Sequence, residues 1–152
     1  MTITIGLIFW LLVHMQPSIV VETNTAELPL VPYPCEVRTG GGMLHIGNRL
    51  YLVNGSGDSA IAEDLHTIAQ DLRAIGFETL IAQHAQDLLP ECIVRWSIPS
   101  TFRPELGQEG YEITVNKAIQ IESNTPTGLF WASRTLLQLF RGGPGTAISH
   151  LT

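Results

Sequence analysis

The sequence predicts an α+β fold, a two-layer sandwich in which a mainly antiparallel sheet carries two helices on one face. Three observations predict it. Six short runs, at residues 43–46, 50–53, 77–82, 93–98, 111–115 and 118–122, show the alternation or β-branching of strands. Two longer stretches, 59–75 and 127–141, repeat apolar residues every three or four positions, the stripe of a helix laid on a core. The order is strands, helix, strands, helix, and both helices on one sheet face is the economical arrangement. No third layer remains, so the far face of the sheet is expected to be solvated or docked to another domain.

Residues 1–26 read as a leader. Their apolar run, 3–13, reaches about 16 Å as a helix at about 1.5 Å per residue, short of the roughly 30 Å hydrocarbon layer, so no stable membrane span is expected. That length suits the apolar region of a secretory signal peptide, and polar and small residues follow at 22–26, although no Lys or Arg precedes the run. A misassigned start, a buried first strand and a membrane anchor are the other readings. The signal-peptide reading makes the protein an exported one, periplasmic or extracellular.

The globular part, 27–141, begins with Pro29, Pro32 and Pro34, which deny backbone donors and favour an extended approach. Gly40, Gly41 and Gly42 mark a tight turn between extended segments. In the first helix the stripe is Ile61, Leu65, Ile68, Ala69, Leu72 and Ile75. Asp58 or Ser59 can cap its start, and Gly76 stands where a left-handed C-terminal cap belongs. Glu63, Asp64, His66 and Asp71 lie off the stripe and are expected in water. Asn116-Lys117 is a two-residue connection, which makes the flanking strands antiparallel neighbours, with Tyr111, Ile113 and Val115 meeting Ile119 and Ile121.

The second helix is apolar on both sides. Leu129, Ala132, Ser133, Leu136, Leu139 and Phe140 share its core side, and Trp131 lies opposite among Arg134, Thr135 and Gln138. An uncovered tryptophan there leaves roughly 150–250 Å² of mostly apolar surface in water. Trp131, Arg134 and Gln138 are therefore the candidate docking surface; a solitary exposed aromatic, common on monomers, is the alternative. Gly142-Gly143-Pro144-Gly145 then breaks the pattern and makes 142–152 a linker or tail.

With 152 residues, 45% of them hydrophobic and 14% charged, the chain can bury the core of one domain. A net charge of −6 with only eight Lys and Arg argues against nucleic acid, which needs a basic patch. No zinc-binding His-Glu-x-x-His, phosphate-cradling loop or Gly-x-Ser-x-Gly elbow occurs. The adjacent carboxylates Glu63 and Asp64 point about 100° apart on a helix and do not cooperate. His14, His45, His66, His84 and His150 fall at no ligand spacing. No catalytic residue, metal or cofactor is expected. Cys35 and Cys92 are a candidate disulfide, worth roughly 4 kcal/mol in the chain-entropy model; two unpaired thiols are the other reading. Asn54-Gly55-Ser56 fits a glycosylation sequon and equally a turn.

Two stretches point to a family. Leu28-Pro29-Leu30-Val31-Pro32-Tyr33-Pro34, followed by Gly41-Gly42-Met43-Leu44-His45-Ile46, resembles the start of the N-terminal domain of glycoside hydrolase family 20, the β-N-acetylhexosaminidases. Glu109-Gly110-Tyr111-Glu112-Ile113-Thr114-Val115 and Ile119-Gln120-Ile121-Glu122, leading into Thr127-Gly128-Leu129-Phe130-Trp131 and Arg134-Thr135-Leu136-Leu137-Gln138-Leu139, are similar to its closing hairpin and helix. The resemblance covers residues 28–140. It implies an exported, non-catalytic domain that packs against a catalytic (β/α)8 barrel, in the same chain or encoded nearby. In the family that barrel hydrolyses terminal N-acetylhexosamine residues with an Asp-Glu pair, the substrate's own acetamido oxygen serving as nucleophile. This sequence has no Asp-Glu dipeptide, so no catalytic residue is carried over. The alternative is a free-standing exported module that binds N-acetylglucosamine-containing glycans, with Trp131 and Trp96 stacking on sugar rings.

Overall fold

In the computed structural model, which describes residues 28, 30–82 and 93–151, the alternating runs become strands and the two apolar stripes become helices. In order they are β1 (Thr39–His45), β2 (Arg49–Asn54), α1 (Ser59–Ala74), β3 (Glu78–Ala82), β4 (Ile93–Ser97), β5 (Tyr111–Val115), β6 (Ile119–Ser123), α2 (Pro126–Leu139) and β7 (Ala147–Leu151). The strands form one sheet in the order β1-β7-β5-β6-β4-β2-β3. The pairs β1–β7, β7–β5 and β5–β6 are antiparallel, whereas β6–β4, β4–β2 and β2–β3 are parallel. The molecule is an α+β sandwich with a mixed sheet. Parallel neighbours need a crossover, and α1 supplies the one from β2 to β3.

Alternation puts Leu50 and Leu52 of β2, Val94 and Trp96 of β4, and Ile119 and Ile121 of β6 into one buried cluster. There they meet Ile61, Leu65, Ala69 and Leu72 of α1 and Leu129, Ala132 and Leu136 of α2. Phe77 and Phe140 close one end of it with ring centroids 5.1 Å apart. The first helix stops where Gly76 takes a φ of 103°. The Gly76 amide then donates to the Arg73 carbonyl and the Phe77 amide to that of Leu72, the two bonds of a Schellman cap. As expected, Val115 pairs with Ile119 and Ile113 with Ile121. The connection between them is three residues long, Asn116 to Ala118, so its register differs from that of a two-residue turn.

Three sequence expectations are corrected. Residues 142–152 are not simply a linker: the glycine- and proline-rich part ends at Gly145, after which β7 inserts between β1 and β5 with Ile148 and Leu151 buried. Gly40, Gly41 and Gly42 belong to β1 rather than to a tight turn. The register against β7 shifts between Thr39 and Met43, and Gly42 carries a φ of 118° with the His150 ring where a Cβ would go. Thr135, expected on the outer face of α2, is buried, because its hydroxyl and that of Tyr111 hydrogen-bond at 2.5 Å. The leader and Cys92 lie outside the described residues, and Cys35 is exposed.

Candidate docking surface

The second helix is placed by its N-terminus. Thr125 is extended, at φ −144° and ψ 159°, and its hydroxyl accepts from the Gly128 amide; Pro126 follows at the first helical position, where a missing N–H costs nothing. Gly128 lies so close to the end of the hairpin that a Cβ there would sit 2.0 Å from Ser123 Oγ and 2.6 Å from the Gly110 carbonyl oxygen. Only glycine lets the helix approach this far. Leu129, Ala132 and Leu136 then reach the sheet, which sends Phe130 and Trp131 outward.

These two rings are 48% and 47% exposed and meet edge to face, with centroids 5.2 Å apart and planes at 70°. The Arg134 guanidinium stands 5.0 Å above the Phe130 ring. Arg134 also reaches Asp71 of α1 at 2.5 Å, so Asp71, expected in water, joins the two helices. Gln138 is likewise engaged. Its side-chain oxygen accepts from the Val31 amide at 2.8 Å and its nitrogen donates to the Val31 carbonyl at 3.0 Å, pinning the leading segment to the helix. Val31 and Tyr33 of that segment are exposed. Of the three candidate docking residues, Trp131 is the one presented outward, while Arg134 and Gln138 hold neighbouring parts of the domain against α2.

The other candidate aromatic, Trp96, is 0% exposed in the core and has no face to offer a sugar. Alternation on β4 puts it on the helix side between exposed Arg95 and half-buried Ser97. His45 and His66 are exposed, His14 and His84 lie outside the described residues, and no group of three or more His, Cys, Asp or Glu among the described residues could hold a metal.

The sheet face away from the helices carries a polar cluster that sequence reading missed. Glu112 of β5 sits directly opposite Glu122 of β6, with Thr114 opposite Gln120. Like charges facing across a ladder repel. Arg103, in the loop before β5, spans both carboxylates at 2.6 Å and 3.2 Å and also meets Glu105 at 2.8 Å. Hydrogen bonds to Glu105 and then to Glu112 raise the Arg103 pKa, fixing its charge. The Glu105 carboxyl is lowered from the ordinary range, first by its own backbone amide and then by Arg103. Asn124 anchors the loop by accepting from the Arg103 amide and donating to the carbonyls of Arg103 and Gly107. Two acids in strand-facing positions and an arginine nine residues before the first of them were the available signal, but the exact hairpin register was needed to bring them together.

Comparison with known proteins adds a family. The model described as glycosyl hydrolase family 20, domain 2, matches residues 27–152, including β7. Among solved structures, β-N-acetylhexosaminidase from Bacteroides fragilis is 17% identical, with a TM-score of 0.59, over 80% of this chain and 23% of its own. The exo β-N-acetylglucosaminidase from Vibrio harveyi in complex with N-acetylglucosamine is 18% identical, with a TM-score of 0.61, over 82% and 18%. Flavobacterium johnsoniae chitobiase is 21% identical, with a TM-score of 0.51, over 82% and 21%. This chain thus spans about a fifth of the length of each. No curated protein sequence matches it.

Proposed function

Since the chain belongs to the glycosyl hydrolase family 20, domain 2 family, we propose that it is the accessory, non-catalytic domain of a β-N-acetylhexosaminidase. Its partner is a catalytic (β/α)8 barrel, in the same polypeptide or encoded nearby, which hydrolyses terminal N-acetylhexosamine residues. The family match over residues 27–152 carries this reading. The exposed Phe130–Trp131 pair supports it as the apolar centre of the docking surface, since paired aromatics in such a position are typical interface anchors. The work is done outside the cytoplasm, with residues 1–26 removed on export; the mass of the exported protein's N-terminal peptide tests that.

The purified chain is expected to leave a chromogenic N-acetylglucosaminide intact. Turnover that disappears when a carboxylate of this chain is substituted would overturn the proposal. With the barrel present, Trp131→Ser is expected to weaken association or lower the melting temperature of the joined protein. An unchanged value would move the docking surface elsewhere. The glycan-binding alternative now has Trp131 without Trp96. Titration with N-acetylglucosamine oligomers separates the two readings, because a docking domain gives no change in Trp131 fluorescence.

A further inference from the structure

Asn54-Gly55 carries a reactivity that neither the family nor the docking surface uses. In an Asn-Gly step the glycine amide nitrogen can attack the asparagine side-chain carbonyl carbon. The bond to the side-chain nitrogen breaks and ammonia leaves. The cyclic imide so formed takes up one water and opens to aspartate or isoaspartate. Glycine permits this because no Cβ hinders the backbone rotation that brings nitrogen to carbon.

Here each participating atom is held elsewhere. The attacking nitrogen, Gly55 N–H, donates to the Trp96 carbonyl at 2.6 Å. Asn54 is the last residue of β2, paired with Trp96 of β4, so its backbone is kept extended. Its side-chain oxygen accepts from the Gly57 amide at 2.9 Å and its nitrogen donates to the Asp58 carbonyl at 2.7 Å, which draws the amide forward over the loop. The geometry points to Asn54 as a deamidation site that folding closes, unreactive while the end of β2 is docked on β4 and convertible once the 55–58 loop lifts away.

Conversion is one-way and damaging. An aspartate at 54 faces the Asp58 carbonyl with an acceptor where the amide supplied a donor, so this hydrogen bond between the end of β2 and the start of α1 is lost. Isoaspartate adds a backbone carbon and cannot hold the Asn54–Trp96 register.

Peptide mass mapping of the full chain, incubated at mildly alkaline pH with and without urea, tests this against a synthetic peptide of residues 50–60. Conversion in the native chain is expected to be slower than in the peptide by at least about tenfold, the factor set by local opening, and urea should bring the two rates together. Hydrogen exchange at the Gly55 amide should give a matching protection. Equal rates in native chain and peptide, or an unprotected Gly55 amide, would overturn the proposal. Asn54→Asp, made directly, should lower the melting temperature; an unchanged value would overturn the claimed cost of conversion.

Discussion

Along β6, Ile119, Ile121 and Ser123 are buried on the helix side, while Gln120 and Glu122 between them line the far side with Arg103, Glu112 and Thr114. The same five residues thus serve two environments. The helix side excludes water from large apolar groups, a favourable term of about 25 cal/mol for each Å² buried. The far side holds ion pairs that water screens, and pairs of this kind contribute under about 1 kcal/mol. The comparison places most of the stability on one face and leaves the other to control charge and loop position.

Replacing Trp96 with alanine should be the most costly change, about 3–5 kcal/mol from cavity formation, read as a lower urea midpoint. A loss below about 1 kcal/mol would mean that the helix side is not the stabilising one. Gly128→Ala comes next, at about 1–3 kcal/mol, because α2 must retreat from Ser123 and Gly110. A melting temperature equal to that of the parent would refute the close approach. Arg103→Ala should cost under about 1 kcal/mol, and added salt should narrow the difference as it screens Glu112 from Glu122. A loss as large as that of Trp96→Ala would erase the distinction between the faces.

The smallest effect belongs to Asp64 on α1. Its carboxyl is raised above the ordinary range, by burial first and by Glu63 second. The folded state therefore binds the proton more tightly than the unfolded one. Its contribution favours folding at acid pH and is lost as pH rises through the raised value. Asp64→Asn should slightly stabilise the domain at neutral pH, and the gain should vanish in acid. An identical pH–stability curve for the two proteins would remove Asp64 from the account.

What the sequence made legible follows the same division. The strand runs, α1 with its Gly76 cap, and the outward Trp131 could be read because burial imposes a period and caps demand particular residues. The face pattern of Tyr111, Ile113 and Val115 against Ile119 and Ile121 required an even pairing sum, which the three-residue connection provides and a two-residue one does not. The far face has no such pattern. Its Arg103 cluster depends on a loop fold, and β7 was hidden because five residues with two large apolar side chains after a glycine-rich turn resemble a tail. Arg134 and Gln138 carried the right address on α2, but their partners, Asp71 and Val31, are 63 and 107 residues away. No local signal encodes such contacts.

The single neighbour of β1 sets an order for assembly. Among the described residues the sheet order gives this strand one partner, β7, which comes last of the nine elements in chain order. As the chain emerges amino end first, β2 through β6 and both helices can assemble in turn, but β1 must wait for residues 147–151. During that interval the glycine-rich β1 stands as an unpaired edge, so the sheet is complete only when its first and last described strands meet.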